Sequence, residues 1–317
     1  MMNRNCLYCY QTLPDASSKD FHEACSLAFF GTKQQPDFPY SFDQMDELAR
    51  SVIERSIAVP GVQPKLSLSM VNSTLDDGKN GRLTVVGALG GNYIFKPPSA
   101  TFAEMPQNEH LTMRMAEAFG MKTAKSSLIR LKSGEISYIT KRFDRTDLGD
   151  KLHMIDMFQI LEAFDKYKSS MEKVGKAIGR YSNRAVFDKL YFYELTIFSF
   201  LTGNNDMHLK IFSMLLENGK WSLSPAYDLL NVAIVNPDDE EELALTLNGK
   251  KKKIGLEQLK DLGVKLDLNK KQIGKVFERF EGFQEEAVQW IGRSFLSDDS
   301  KSKYAELLEK RYHTLYK

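Results

Sequence analysis

The sequence predicts an α+β fold of two lobes, the first rich in strands and the second in helices. Short alternating apolar runs crowd residues 65–95 and return at 126–130 and 136–140, whereas after about Arg145 the apolar spacing becomes mostly helical. A length of 317 residues suits one large domain or two lobes. With 42% hydrophobic and 27% charged residues the chain can fill and cover a core, which excludes a disordered or fibrous protein. Lys+Arg 43 against Asp+Glu 42 leaves net +1, which argues against wholesale coating of nucleic acid or an anionic membrane. The most apolar stretch, Val186 to Leu201, contains Asp188, Lys189 and Glu194 and is too broken for a span of about 20 apolar residues. The N-terminus lacks the apolar run of a signal peptide, and three cysteines make no disulfide framework. The expectation is a cytoplasmic protein with no membrane partner.

Three segments follow. Residues 1–35 hold all the cysteines, and the prolines of Gln34-Gln35-Pro36-Asp37-Phe38-Pro39 make a linker after them. Residues 40–145 read as a small lobe. It begins with a helix from about Phe42 to Arg55, followed by strands at Leu66–Met70, Leu83–Val86 and Tyr93–Phe95. A helix from about Glu104 to Phe119 stops at Gly120, and strands at Ser126–Arg130 and Ile136–Thr140 close the lobe. Residues 146–317 read as a helical lobe, with helices expected at Met154–Phe164, Ser170–Gly179, Val186–Leu201, Leu256–Leu262, Asn269–Phe295 (broken near Gly282) and Lys303–Tyr316. Asn248-Gly249 after Leu243–Leu247 signals a hairpin, and the Asp238–Glu242 and Lys250–Lys253 runs read as solvated loop charges. His110 and His153 fall in predicted helices as surface or packing residues. The cluster Phe187, Tyr191, Phe192, Tyr193, Phe198 and Phe200 reads as core.

Four residues carry chemistry through their order. Lys96 ends the strand Tyr93-Ile-Phe-Lys, and Glu109 follows thirteen positions later on an amphipathic helix. Asp206 sits in Gly203-Asn-Asn-Asp-Met-His-Leu-Lys after the apolar helix, and Asp228 in Ala226-Tyr-Asp-Leu. Taken singly, each is an ordinary solvated side chain. Together they supply what phosphoryl transfer from ATP requires: a lysine for the phosphates, a glutamate to fix it, an aspartate to orient the nucleophilic hydroxyl and a second to hold Mg²⁺.

Arg55-Ser-Ile-Ala-Val-Pro-Gly-Val-Gln-Pro-Lys-Leu-Ser-Leu, Tyr93-Ile-Phe-Lys-Pro-Pro, Asn108-Glu-His, Tyr138-Ile-Thr-Lys-Arg-Phe-Asp-Arg, Gly203-Asn-Asn-Asp-Met-His-Leu-Lys and Ala226-Tyr-Asp-Leu together resemble the HipA family of serine/threonine kinase toxins, in its short HipT-like form. The resemblance implies a two-lobed, kinase-like fold. It implies that Pro60, Gly61, Val62, Gln63 and Lys65 form the ATP-contacting loop and that Lys96 is the nucleotide lysine. Lys141, Arg142 and Phe143 match the hinge bordering the adenine. Asp206 matches the catalytic aspartate, His208 and Lys210 its loop, and Tyr227 and Asp228 the magnesium motif. Also implied are a translation-factor substrate such as an aminoacyl-tRNA synthetase, a small HipS-like protein and a DNA-binding antitoxin, through which alone DNA would be met. Two positions depart from the family. Ala58 stands where the family often carries an autophosphorylated serine, leaving Ser56 as the nearby candidate. Ile211 replaces the asparagine that would be the second metal ligand. Two rival readings stay open: a nucleotide-binding pseudokinase that docks partners, motivated by Ile211, and a small-molecule or lipid kinase.

Cys6-x-x-Cys9 and His22-x-x-Cys25 form a separate set. Two such pairs about a dozen residues apart can converge on a tetrahedral zinc, the alternative being reduced cysteines beside an incidental histidine. Four protein ligands leave no open position, so the expected zinc is structural. A segment this short has little core of its own, so metal is expected to supply its folding energy, with nucleotide binding unaffected by its loss.

Overall fold

Alternation along the first strands decides what the first sheet buries. Leu66 and Leu68 on one strand, and Tyr93 and Phe95 on its neighbour, are all buried and face each other in register. This computed structural model describes residues 4–14, 19–45, 47–48, 65–72, 81–86, 91–99, 101–146 and 149–317. Pro60, Gly61, Val62, Gln63, Ser56 and Ala58 lie outside them. The strands β1 (Leu66–Asn72), β2 (Gly81–Val86), β3 (Tyr93–Lys96), β4 (Ser126–Arg130) and β5 (Ile136–Lys141) make one antiparallel sheet in the order β2-β1-β3-β5-β4. The helix α1 (Glu23–Phe30) precedes the sheet. The helix α2 (Met105–Ala118) interrupts it between β3 and β4. The chain leaves α2 at Gly120, as its sequence predicts.

Two compact units emerge. The first comprises Met1–His110, Ala124–Gly149 and Arg293–Phe295, so the five-stranded sheet and the cysteine-bearing segment belong to one body. That segment is not coreless. Cys6, Leu7, Tyr10, Phe21, Phe29 and Phe30 are all buried, and the Leu128 amide of β4 donates to the Leu7 carbonyl at 3.3 Å.

The second unit comprises Leu111–Thr123, Asp150–Gly292 and Leu296–Lys317. Its small sheet of β6 (His153–Asp156), β7 (Ser213–Glu217) and β8 (Lys220–Leu223) is antiparallel. The helices of this part of the chain are α3 (Met157–Ile160), α4 (Met171–Tyr181), α5 (Ala185–Thr202), α6 (Val232–Val235), α7 (Leu256–Lys265), α8 (Lys270–Glu281), α9 (Gln284–Arg293) and α10 (Asp298–Tyr316). The central helix α5 buries Phe192, Tyr193, Phe198 and Phe200 completely, as an apolar helix within a helical core must. Phe187, expected in that core, sits on the first turn of α5 and is exposed.

Several expectations need correction. The helix expected at Met154–Phe164 is a strand followed by one helical turn, because His153–Asp156 pairs with β7. A capping box between Asp156 and Gln159 then starts α3. His153 therefore lies on a strand. His110 is helical and fully buried, a packing residue rather than a surface one. Asn248-Gly249 closes only a single bridge between Leu247 and Lys250, and the hairpin forms instead at Asn218-Gly219, between β7 and β8. The two charge runs are not merely solvated, since Lys251 meets Glu241 at 3.0 Å and Lys252 meets Glu240 at 2.8 Å.

Candidate active site

In the first unit, Lys96 ends β3 and Glu109 lies on α2. The Lys96 ammonium donates to Glu109 Oε1 at 2.5 Å, with the two side chains 4% and 2% exposed. That burial rules out a solvated strand cap. Strand register sets Tyr138 of β5 opposite Lys96, and the ammonium lies 5.2 Å from the Tyr138 ring centroid. Lys65, just ahead of β1, is exposed. At the end of β5, Lys141 reaches over the Tyr93 ring at 6.0 Å and Phe143 is half-buried. Arg142 is committed elsewhere, donating two hydrogen bonds to Asp144 at 2.9 and 2.7 Å. Arg145 adds a third at 2.7 Å. Burial pushes the Asp144 carboxyl up, but the two guanidiniums prevail and hold it below the usual carboxylate range.

In the second unit, Asp206 follows α5 through a turn that favours glycine. Gly203 has φ +69°, and a Cβ there would sit 2.3 Å from Leu307 and 3.0 Å from Asn231 Oδ1. The Asp206 side chain is 41% exposed, and it accepts a hydrogen bond from the Tyr167 hydroxyl at 2.8 Å. His208 Nδ1 accepts from the Lys210 amide at 3.2 Å, which puts the ring proton on Nε2, 3.9 Å from Asp206 Oδ1. Burial lowers the His208 pKa from 6.5 to about 4, against the pull of the Asp206 and Asp228 carboxylates and with help from Lys166. The imidazole is therefore neutral at pH 7, with the carboxylates of both aspartates acting on it electrostatically.

Asp228 takes a left-handed backbone, φ +56°, uncommon for a residue other than glycine. The hydroxyl of its neighbour Tyr227 donates to the Lys210 carbonyl at 2.9 Å and lies 2.7 Å from Ser213 Oγ, tying the two loops together. Lys210 is exposed. Ile211 is half-buried and offers no lone pair. Nearby, Asn205 is buried; its amide nitrogen donates to the Glu241 carbonyl at 2.9 Å, and its Oδ1 has no partner among the described residues.

Sequence reasoning did not single out Tyr167, Lys166 or Tyr138. Tyr167, which donates to Asp206, and Lys166, whose charge acts on His208, lie about forty residues earlier in the chain, and only the strand register reveals the third.

Cys6, Cys9, His22 and Cys25 converge as their spacing predicts, with one ligand atom from each within 4.8 Å of all the others. His22 Nδ1 lies 3.5 Å from Cys9 Sγ and 3.9 Å from Cys25 Sγ. A hydrogen bond from Cys9 draws the Cys6 thiol down to about 4 against the effect of burial, and Cys9 moves up correspondingly. The group could hold a metal ion.

Residues 57–289 match the HipA-like C-terminal domain family. The chain belongs to that family. Among the HipA-like relatives, the protein Y4dM of Sinorhizobium fredii, a kinase by name, is 32% identical over 68% of this chain and 55% of its own length. The serine/threonine-protein kinase toxin HipA of Shewanella oneidensis is 26% identical over 61% of this chain and 47% of its own. The chain thus spans about half the length of the curated relatives it matches. The HipA structure from Shewanella oneidensis, solved with HipB and operator DNA, superimposes with a TM-score of 0.66 at 22% identity, covering 84% of this chain and 70% of that one. The Helicobacter pylori proinflammatory kinase CtkA gives 0.50 at 15% identity, over 73% and 90%. The α+β, kinase-like fold and the HipA resemblance read from the motifs are both borne out. Among the described residues, no helix is long and apolar enough to cross a membrane.

Proposed function

We propose that the chain is an ATP-dependent serine/threonine protein kinase of the toxin type. The observation that carries this reading is the buried Lys96–Glu109 ion pair, which holds one ammonium fixed where a strand ends. A fixed ammonium matches the polyanionic phosphates of ATP, with Lys65 as a second cation. Asp206 orients the substrate hydroxyl and accepts its proton as the oxygen bonds to the γ-phosphorus and the bond to the bridging β–γ oxygen breaks. Tyr167 keeps that carboxylate in place. Asp228 would hold Mg²⁺, which when bound neutralises charge on the phosphoryl oxygens.

The partners that accompany this reading are a protein substrate in translation, such as an aminoacyl-tRNA synthetase, a HipS-like protein and a DNA-binding antitoxin. The Shewanella relative solved with HipB and operator DNA supports the last of these. Ile211 favours a second reading, a nucleotide-binding pseudokinase, because it removes a metal ligand.

Transfer from radiolabelled ATP in a cell lysate tests the proposal, with Asp206→Ala run beside the unaltered chain. Label should enter protein and fall by about 10²–10⁴ in the variant, while calorimetric ATP affinity is kept. Label confined to small molecules, or equal in both proteins, would overturn it. ATP binding without any transfer is the pseudokinase outcome.

A further inference from the structure

The cysteine cluster has the dimensions of a zinc site. Zinc bonds of about 2.3 Å to sulfur and about 2.0–2.1 Å to nitrogen require donors about 3.5–3.8 Å apart in a tetrahedron. The distances from His22 to Cys9 and Cys25, 3.5 and 3.9 Å, meet that requirement. The other ring nitrogen, Nε2, lies 3.2 Å from the Thr12 carbonyl. A proton shared there leaves the Nδ1 lone pair facing the sulfurs, the usual arrangement of a histidine on zinc.

Each half of the cluster is linked through intervening rings to the element that carries one partner of the lysine–glutamate pair. Cys6 and Cys9 lie on a tight loop closed by the Cys6 amide on the Gln11 carbonyl at 2.8 Å and the Tyr10 amide on the Cys6 carbonyl at 3.0 Å. Tyr10, immediately after Cys9, has φ +64°, a strained conformation for an aromatic residue that persists only where its surroundings fix it. Its hydroxyl lies 2.8 Å from His110 Nδ1 in a buried hydrogen bond, one residue beyond Glu109 on α2. The His110 ring in turn lies 6.4 Å from Tyr138, the ring beneath the Lys96 ammonium. On the other half, His22 and Cys25 sit at the start of α1, whose Phe29 and Phe30 rings lie 5.8 and 6.3 Å from Tyr93. Tyr93 opens the strand that Lys96 ends.

We propose that Cys6, Cys9, His22 and Cys25 form a structural zinc site that braces the Lys96–Glu109 pair, through Tyr10 and His110 on one side and through Phe29, Phe30 and Tyr93 on the other. Tyr10 and His110 are positioning residues. They touch no phosphate, and they hold α2 at the height where Glu109 meets Lys96. This reverses the expectation that zinc loss would leave nucleotide binding unaffected. The functional consequence rests on the reading of Lys96 as the nucleotide lysine, whereas the brace itself does not.

Elemental analysis of the full chain should find one zinc per molecule. Removal with a chelator should speed amide hydrogen exchange in residues 93–96 and 105–118 and weaken ATP affinity by about tenfold or more, with both reversed by added zinc. Tyr10→Phe keeps the ring and the zinc but loses the hydroxyl, and it should reproduce part of both changes at full zinc content. Three results overturn the proposal: protein without zinc, exchange in 93–96 and 105–118 that ignores zinc, or Tyr10→Phe indistinguishable from the unaltered chain in exchange. If exchange responds to zinc while the unaltered protein binds no ATP, the brace stands and the nucleotide reading of Lys96 fails.

Discussion

The two charged clusters are built in opposite ways. Lys96 and Glu109 are sealed, 4% and 2% exposed, each with the other as a charged partner. Asp206 is 41% exposed, held by one tyrosine hydroxyl beside a neutral histidine. Taking two charges out of water is expensive, and a buried pair often contributes no more to stability than apolar residues of the same volume. What such a pair supplies is position, since neither long side chain can wander. In the proposed role, the exposed aspartate would forgo that rigidity in order to meet a substrate and release it. The contrast says that the first cluster tolerates almost no change and the second is limited mainly by chemistry.

The largest expected effect breaks the pair. Glu109→Ala removes the carboxylate beside a buried ammonium and should lower stability by about 3–5 kcal/mol, read from the urea midpoint. Asp206→Ala, at a half-open site, should stay within about 0.5 kcal/mol of the unaltered chain. If the two variants lose stability equally, the contrast between the clusters is wrong.

A smaller effect comes from His208. The unfolded chain takes up a proton at this histidine below pH 6.5, whereas the folded protein resists until about 4. Across that window the unfolded state binds more protons, so stability falls as pH drops, by up to about 3 kcal/mol from this group. Denaturant titrations from pH 7 to pH 4 should show the slope, and His208→Gln should flatten it. An unchanged slope in the variant would assign the acid sensitivity to other groups.

What the sequence made legible follows from the range of each interaction. The Lys96-to-Glu109 spacing, the Gly203 turn before Asp206 and the two cysteine-bearing pairs are local patterns whose chemistry is carried by residue type. Tyr167 on Asp206 and Tyr10 on His110 are not legible, because they join residues 39 and 100 positions apart with no motif to announce them. The Asn-Gly dipeptide shows the same limit. Of the dipeptides at 218 and 248, both asparagines take positive φ, yet of these two only the first turn lies between paired strands. At the second, Lys250–Lys253 supplies no apolar alternation to pair with Leu243–Leu247, so the turn alone could not make a hairpin.

The smallest predicted effect sharpens the comparison at the open cluster. An asparagine at 211 would present a carbonyl oxygen to a Mg²⁺ ion that demands oxygen ligands in near-octahedral geometry. Ile211 is half-buried, its amide donating to the His208 carbonyl at 3.0 Å, so the backbone is already in place and only the side chain is apolar. Ile211→Asn should therefore raise phosphate transfer by at least about tenfold, a fraction of the 10²–10³ that a full transition-state charge contact contributes. ATP affinity should barely move, because Lys96 and Asp228 are untouched. Single-turnover transfer beside calorimetric binding reads both quantities. Should the unaltered chain already transfer briskly and Ile211→Asn add nothing, another oxygen does the work. Asn205, whose buried Oδ1 has no partner among the described residues, is then the residue whose alanine variant must abolish transfer.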